Sequence, residues 1–379
     1  MRRRDFLTTP ALAVLPAVAQ EDGSVSLFDG KTLTGWTVQD GLDATWYVKD
    51  GAITKTEWSD PASWLRSVRM FENFDFRCEF YVHGWTEGGI FLHAPEHGRS
   101  TWCGMQFKLF LLPDKSPKVN SMGSIFPVVA PLKINVKRDG AWNSMRLRMD
   151  WPKLQAWVNE ELVQDIDVFS IPELARRLRR GYFGLSSLGY QQLMFRNLRI
   201  RELPDKEVWQ GLFETDQDFE KNWFISESDP NAPASWELLN GVLRCTGYGH
   251  IATREKFKDF ELMLYARETV DHNGGVLFRT EGKGLSGRHY EIQQQPVEDA
   301  HYPTGSLYNY ARGRYPQIEI DRWYLLQLRV EGPRCIVRIN GEDILDYRQL
   351  EFTDEGHIEL QAHRPVRWGE FKQVRVRRL

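Results

Sequence analysis

Two alternating stretches carry the side chains best suited to chemistry. In His289-Tyr290-Glu291-Ile292-Gln293-Gln294-Gln295, a strand puts Tyr290 and Ile292 on one side and His289, Glu291, Gln293 and Gln295 on the other. In His357-Ile358-Glu359-Leu360-Gln361-Ala362-His363, the apolar side is Ile358, Leu360 and Ala362, and the polar side is His357, Glu359, Gln361 and His363. Brought into one sheet, the two rows make a face of carboxylates, carboxamides and imidazoles. Glu and His can move protons, and Gln can bind through both of its amide ends. A solvated sheet face alternates in the same way, so the rest of the chain must say whether this one is a site.

The elements that position these rows belong to a pattern that occurs twice. Leu27-Phe28-Asp29-Gly30, Trp46 to Ile53, Phe71 to Phe80 and Gly88-Gly89-Ile90-Phe91-Leu92-His93 come first. The order restarts with Leu212-Phe213, Trp236 to Leu243, Phe257 to Leu262 and Gly274-Gly275-Val276-Leu277-Phe278-Arg279. Later segments pair likewise: Met122 to Phe126 with Thr304 to Tyr308, and Phe195 to Ile200 with Phe371 to Val376. A repeat this long is a duplicated domain rather than a solenoid unit. Short alternating segments broken by Gly, Asn, Asp and Pro predict all-β sandwiches. Asn340-Gly341 predicts a tight hairpin turn. Ser170-Ile171-Pro172-Glu173 predicts a capped helix running from Leu174 to Arg180, whose arginines read as a solvated face.

With 379 residues, 27% of them charged and a net charge of -3, the chain has no basic surplus for nucleic acid or an anionic membrane, and no apolar run long enough to span one. Arg2-Arg3-Arg4-Asp5-Phe6-Leu7, an apolar run and Ala17-Val18-Ala19 predict a twin-arginine signal peptide over residues 1–19, hence a periplasmic or extracellular protein. The domains are expected at 25–202 and 211–379, joined by a linker at 203–210. Cys78 and Cys335 lie on strand-like apolar faces, and the four cysteines are expected to be buried free thiols.

The ordered motifs LFDG, GW, GG[IV]-x-[FL], Tyr290-Glu291-Ile292-Gln293, Thr304-Gly305-Ser306-Leu307-Tyr308 and Leu360-Gln361-Ala362-His363 resemble the 3-keto-disaccharide hydrolase domain family, in two tandem copies. The resemblance implies two concanavalin A-like jelly-roll β-sandwiches, each with a concave sugar-holding face, and glycosides oxidised at C3 as substrates. It carries site roles onto Arg279, Glu291, Gln293, Tyr308 and His363. Where the family usually has Asp between Gln and His, Ala362 stands here. The first copy departs further. It offers Gln106, Lys108, His93 and Phe126 for Glu291, Gln293, Arg279 and Tyr308, and Gly184, Ser186 and Leu188 for Glu359, Gln361 and His363. The second copy is therefore the expected active one.

A C3 carbonyl acidifies the hydrogen on C2, so a base can remove it and the enolate can expel the group on C1. Water then adds to the double bond. Glu291 or His363 is the candidate base, and Arg279, or a divalent metal held by Glu and His, the candidate enolate stabiliser. No His-Glu-x-x-His or Cys-x-x-Cys spacing occurs, so no cofactor is assigned. Gln293, Glu359, Gln361, Tyr308 and Tyr302 are the expected substrate contacts, with Tyr310 a further aromatic near them. Direct hydrolysis by Glu291 and Glu359 is the second route. The competing reading is a tandem lectin-like module that binds glycans without cleaving them.

Overall fold

The computed structural model describes residues 23–56, 63–84, 87–110, 116–137, 140–187 and 193–379. The signal-peptide expectation and Leu188 lie outside these. The chain divides into two compact units between Lys206 and Glu207. Each is a jelly-roll β-sandwich built from short alternating strands, as duplicated hydrophobic periodicity requires.

In the first unit, among the described residues, one sheet has eight strands and the other six. The six-stranded sheet runs Trp36–Gln39, Trp64–Phe71, Gly181–Ser187, Glu87–Ala94, Met105–Phe110, Ile125–Phe126. The core between the sheets is dense in Phe, including Phe74, Phe76, Phe80, Phe107, Phe183 and Phe195. Burying each such ring contributes about 1.5–3 kcal/mol before entropy is counted. The expected helix is a single turn, Pro172–Ala175, preceded by a 3-10 turn at Val168–Ser170. Ser170 does not cap it: its hydroxyl donates to the Asp167 carbonyl, while Asp167 accepts from the Phe169 N–H. Leu174 and Leu178 are buried as their spacing predicts.

In the second unit, two long strands serve both layers. Val242–Thr253 and His357–Arg378 pair along most of their lengths, with a register shift between Cys245 and Gly247. The first part of His357–Arg378 also pairs with Gly274–Thr280, which pairs with Tyr290–Gln294. Its later part pairs with Phe260–Glu268 and leads to Tyr324–Glu331, Arg334–Ile339 and Glu342–Tyr347. Asn340 and Gly341 have φ of 51° and 82° and join the last two strands in the expected tight turn. Ile251, Val276, Ile292, Ile358 and Leu360 face the core, so the residues alternating with them face outward from that layer. All four cysteines are free and buried.

Candidate active site

The two polar rows do share a layer, with one strand between them. Gly275 pairs with Gln293 on one side and Gln361 on the other; Leu277 pairs likewise with Glu291 and Glu359. The missing side chain at Gly275 leaves a gap in the outward face, and Glu291 leans into it. A Cβ on Gly275 would meet Glu291 Oε1 at 2.3 Å.

Glu291 is 5% exposed, and among the described residues its carboxylate has no hydrogen-bond partner. Burial alone pushes its pKa up to about 8. It therefore holds a proton at neutral pH. Beside the gap, Gln361 is buried with its Oε1 unpaired. The Gln293 carboxamide donates to Asn273 Oδ1 at 2.6 Å. His363 is half-buried, edge-on to Tyr248 at 5.3 Å. Burial and then the Arg364 charge lower its pKa, against a pull from Glu227, so it is a neutral imidazole. The Tyr308 N–H donates to the Glu291 carbonyl at 2.9 Å, and the Tyr302 ring stands edge-on to Tyr308 at 5.3 Å. Tyr308 is exposed, so this aromatic pair is open to a ligand. Tyr310 instead packs on Tyr290 over the core.

Two expected site residues are not brought to the gap. Arg279 has φ of 51°, a left-handed residue at a register shift, and this turns its side chain inward. Its guanidinium donates to the carbonyls of Lys258, Gly332 and Phe352 and to Asp259 Oδ1. His93, at the same place in the first unit, has φ of 52° and contacts the Glu72 carbonyl at 2.8 Å. Glu72 and Lys258 are themselves equivalent, so both side chains brace the same carbonyl. Arg279 is thus a structural brace rather than an enolate stabiliser. Glu359 is fully buried and accepts from Ser226 Oγ at 2.6 Å and from Thr280 Oγ1. Both Glu359 oxygens are taken by these hydroxyls, and Leu277 stands between Glu359 and Glu291.

Sequence reasoning missed two residues on this face. His250 pairs in register with Gln361, and Glu227 with His250. Gly247 and Gly249 make that stretch read as a loop, but the period-two signal is there: Ile251 enters the core and His250 faces away.

The first unit shows the same layout emptied of its chemistry. Ser186, Gly89 and Lys108 stand where Gln361, Gly275 and Gln293 do. Trp64 takes the place of His250, edge-on to Phe91 at 5.3 Å, and Gly184 makes room for it. Gln106 donates to Ser186 Oγ at 3.3 Å, and Lys108 is paired with Glu87.

The model of the 3-keto-alpha-glucoside-1,2-lyase-like domain matches residues 23–201 and again 208–377. The chain belongs to this family, as two tandem copies. Membership in the lyase-like family gives it a carbohydrate-related function of glycosidase or lyase type, with a sugar as ligand. None of the curated proteins matches the chain. Among solved structures, it is similar to a proposed glycosyl hydrolase from Parabacteroides distasonis, at 20% identity and a TM-score of 0.43, over 50% of this chain and 99% of that one. A second such structure from the same organism has 21% identity and a TM-score of 0.40, over 52% and 94%. A carbohydrate-binding module from Bacillus subtilis has 15% identity and a TM-score of 0.31, over 41% and 95%. Among the described residues, no group of three or more His, Cys, Asp or Glu is arranged to hold a metal, and no helix is long and apolar enough to cross a membrane.

Proposed function

We propose that the second unit cleaves 3-keto-glycosides by elimination, in a protein exported by the twin-arginine route. The observation that carries this is Glu291, a buried carboxyl with no partner, neutral at pH 7, leaning over a gap in a polar face. A neutral carboxyl can give its proton to a leaving oxygen, which an ionised one cannot. A neutral imidazole of the same face takes the proton from C2. The C2–H electrons form the C1–C2 double bond, the C1–O bond breaks, and the departing oxygen leaves with the Glu291 proton. The Gln361 carboxamide, which has no hydrogen bond to a described residue, offers N–H donors to the C3 oxygen. Water then adds across the double bond with the same groups acting in reverse.

The test is to incubate the protein with a 3-keto-glucoside and with the unoxidised glucoside, following release of the aglycone. Release from the oxidised substrate alone is the expected result, with Glu291→Gln slower by about 100-fold or more. Equal rates for wild type and Glu291→Gln would sink the assignment. Tight glycan binding without release from either substrate would favour the lectin-like reading.

A further inference from the structure

His250 is 3% exposed, yet neither of its ring nitrogens makes a hydrogen bond. Bare buried polar atoms are uncommon, because a polar group taken from water without a partner loses its hydrogen bonds outright. One feature of its surroundings explains the exception. Its Nδ1 lies 3.1 Å from Glu227 Oε2, out of line for a formed hydrogen bond but close enough to become an ion pair when the ring takes a proton. Glu227 is itself fixed, since Oε2 accepts the Leu285 N–H at 2.6 Å. The turn Gly284–Ser286 is shaped around that carboxylate: at Gly284, with φ of 55°, a Cβ would meet Oε2 at 1.8 Å. A carboxylate held beside Nδ1 selects the tautomer with hydrogen on that side, leaving Nε2 with a free lone pair.

Position completes the case. One row of the layer runs Glu227, His250, Gln361, Gly275, Gln293. His250 is two strands, about 10 Å of backbone, from the Gly275 gap on the side away from Glu291. An acid at the gap and an oriented imidazole two strands away therefore share one outward face, with the Gln361 carboxamide between them. His363, by contrast, is half-buried and edge-on to Tyr248, and it feels the Glu227 carboxylate without an ion-pair contact to it. Burial, and then the neighbouring His289 and His363, push the His250 pKa down to about 3, so its ring is neutral at pH 7; the titratable groups facing it are those two histidines and Glu227.

We infer that His250 is the base that takes the C2 proton, with Glu227 as its positioning residue. This rests on the elimination reading above. In the step, His250 Nε2 gains the C2 proton, the C2–H pair becomes the second bond between C1 and C2, and the C1–O pair leaves with the aglycone, protonated by Glu291. The imidazolium that forms finds its countercharge in Glu227.

The experiment compares His250→Gln, His363→Gln and Glu227→Gln with wild type on a 3-keto-glucoside, measuring kcat and KM for aglycone release and exchange of the C2 hydrogen with deuterated water. His250→Gln should lower kcat by about 100-fold or more and abolish C2 exchange, with KM changed little. Glu227→Gln should lower kcat about tenfold, and His363→Gln should keep kcat within about tenfold. Full C2 exchange in His250→Gln, or the larger loss falling on His363→Gln, would overturn the inference while leaving elimination intact. Wild type that neither releases aglycone nor exchanges C2 would overturn the elimination reading itself. Circular dichroism and Tm on each variant identify a folding failure, and if His250→Gln fails to fold, the Glu227→Gln loss, as kcat or as KM, decides the matter.

Discussion

Glu291 and Gly275 share one volume: the carboxyl of the first fills the space where a side chain of the second would stand, 2.3 Å from its Cβ position. Glycine is needed there for the gap, not for its backbone freedom. Gly275→Ala should therefore push the whole Glu291 side chain aside, because its Cγ and Cδ, at 2.7 and 2.9 Å, clash as well as its Oε1. Turnover should fall about 10- to 100-fold while Tm shifts by no more than a few degrees. Aglycone release and a melting curve on the same sample check both halves.

Glu291 also links stability to pH. An unfolded Glu titrates near pH 4.3, whereas Glu291 in the folded chain titrates at about 8. Between these values the native chain keeps a proton that the unfolded chain has released. This group therefore makes stability fall as pH rises from about 4 to about 8, and contributes nothing below that window. Glu291→Gln removes the fall. Its Tm should match wild type near pH 4 and exceed it by about 2 °C or more at pH 8. Parallel melting curves across the range would expose the error.

The same titration sets an upper pH limit on catalysis. Above about 8, Glu291 loses the proton that the leaving oxygen takes. The rate of aglycone release should drop about tenfold per pH unit beyond that point. A substrate whose leaving group departs as a stable anion needs no such proton and should show a weaker drop.

Arg279 should behave as a brace. Arg279→Met strips the donors of a buried guanidinium from the carbonyls of Lys258, Gly332 and Phe352 and from Asp259, and should destabilise the protein by about 2–4 kcal/mol. Turnover per folded molecule should stay within a few-fold of wild type. Denaturant titration paired with active-site counting separates the two effects.

The first unit should resist conversion by a single change. Gln106→Glu places a carboxyl opposite Phe91, where Trp64 fills the position of the imidazole. The double variant Glu291→Gln with Gln106→Glu should be no more active than Glu291→Gln alone, which steady-state assay checks.

Much of this protein is determined by its sequence alone. Period-two alternation in Tyr290 to Gln294 and in Ile358 to Ala362 dictates which side chains enter the core, because a one-residue slip would expose every one of them. The repeat dictates two similar sandwiches, and the unlike polar faces point to the second as the functional one. Tertiary structure decided the rest. A left-handed residue turned Arg279 inward, which alternation cannot foresee. Glu359 was taken up by Ser226 and Thr280, distant in sequence and adjacent only after folding. His250 came to lie beside Gln361, and Glu227 beside His250, only because strand register set them there. Even the protonation of Glu291 belongs to the fold: the same carboxyl in water ionises near pH 4, and only burial without a partner keeps it neutral.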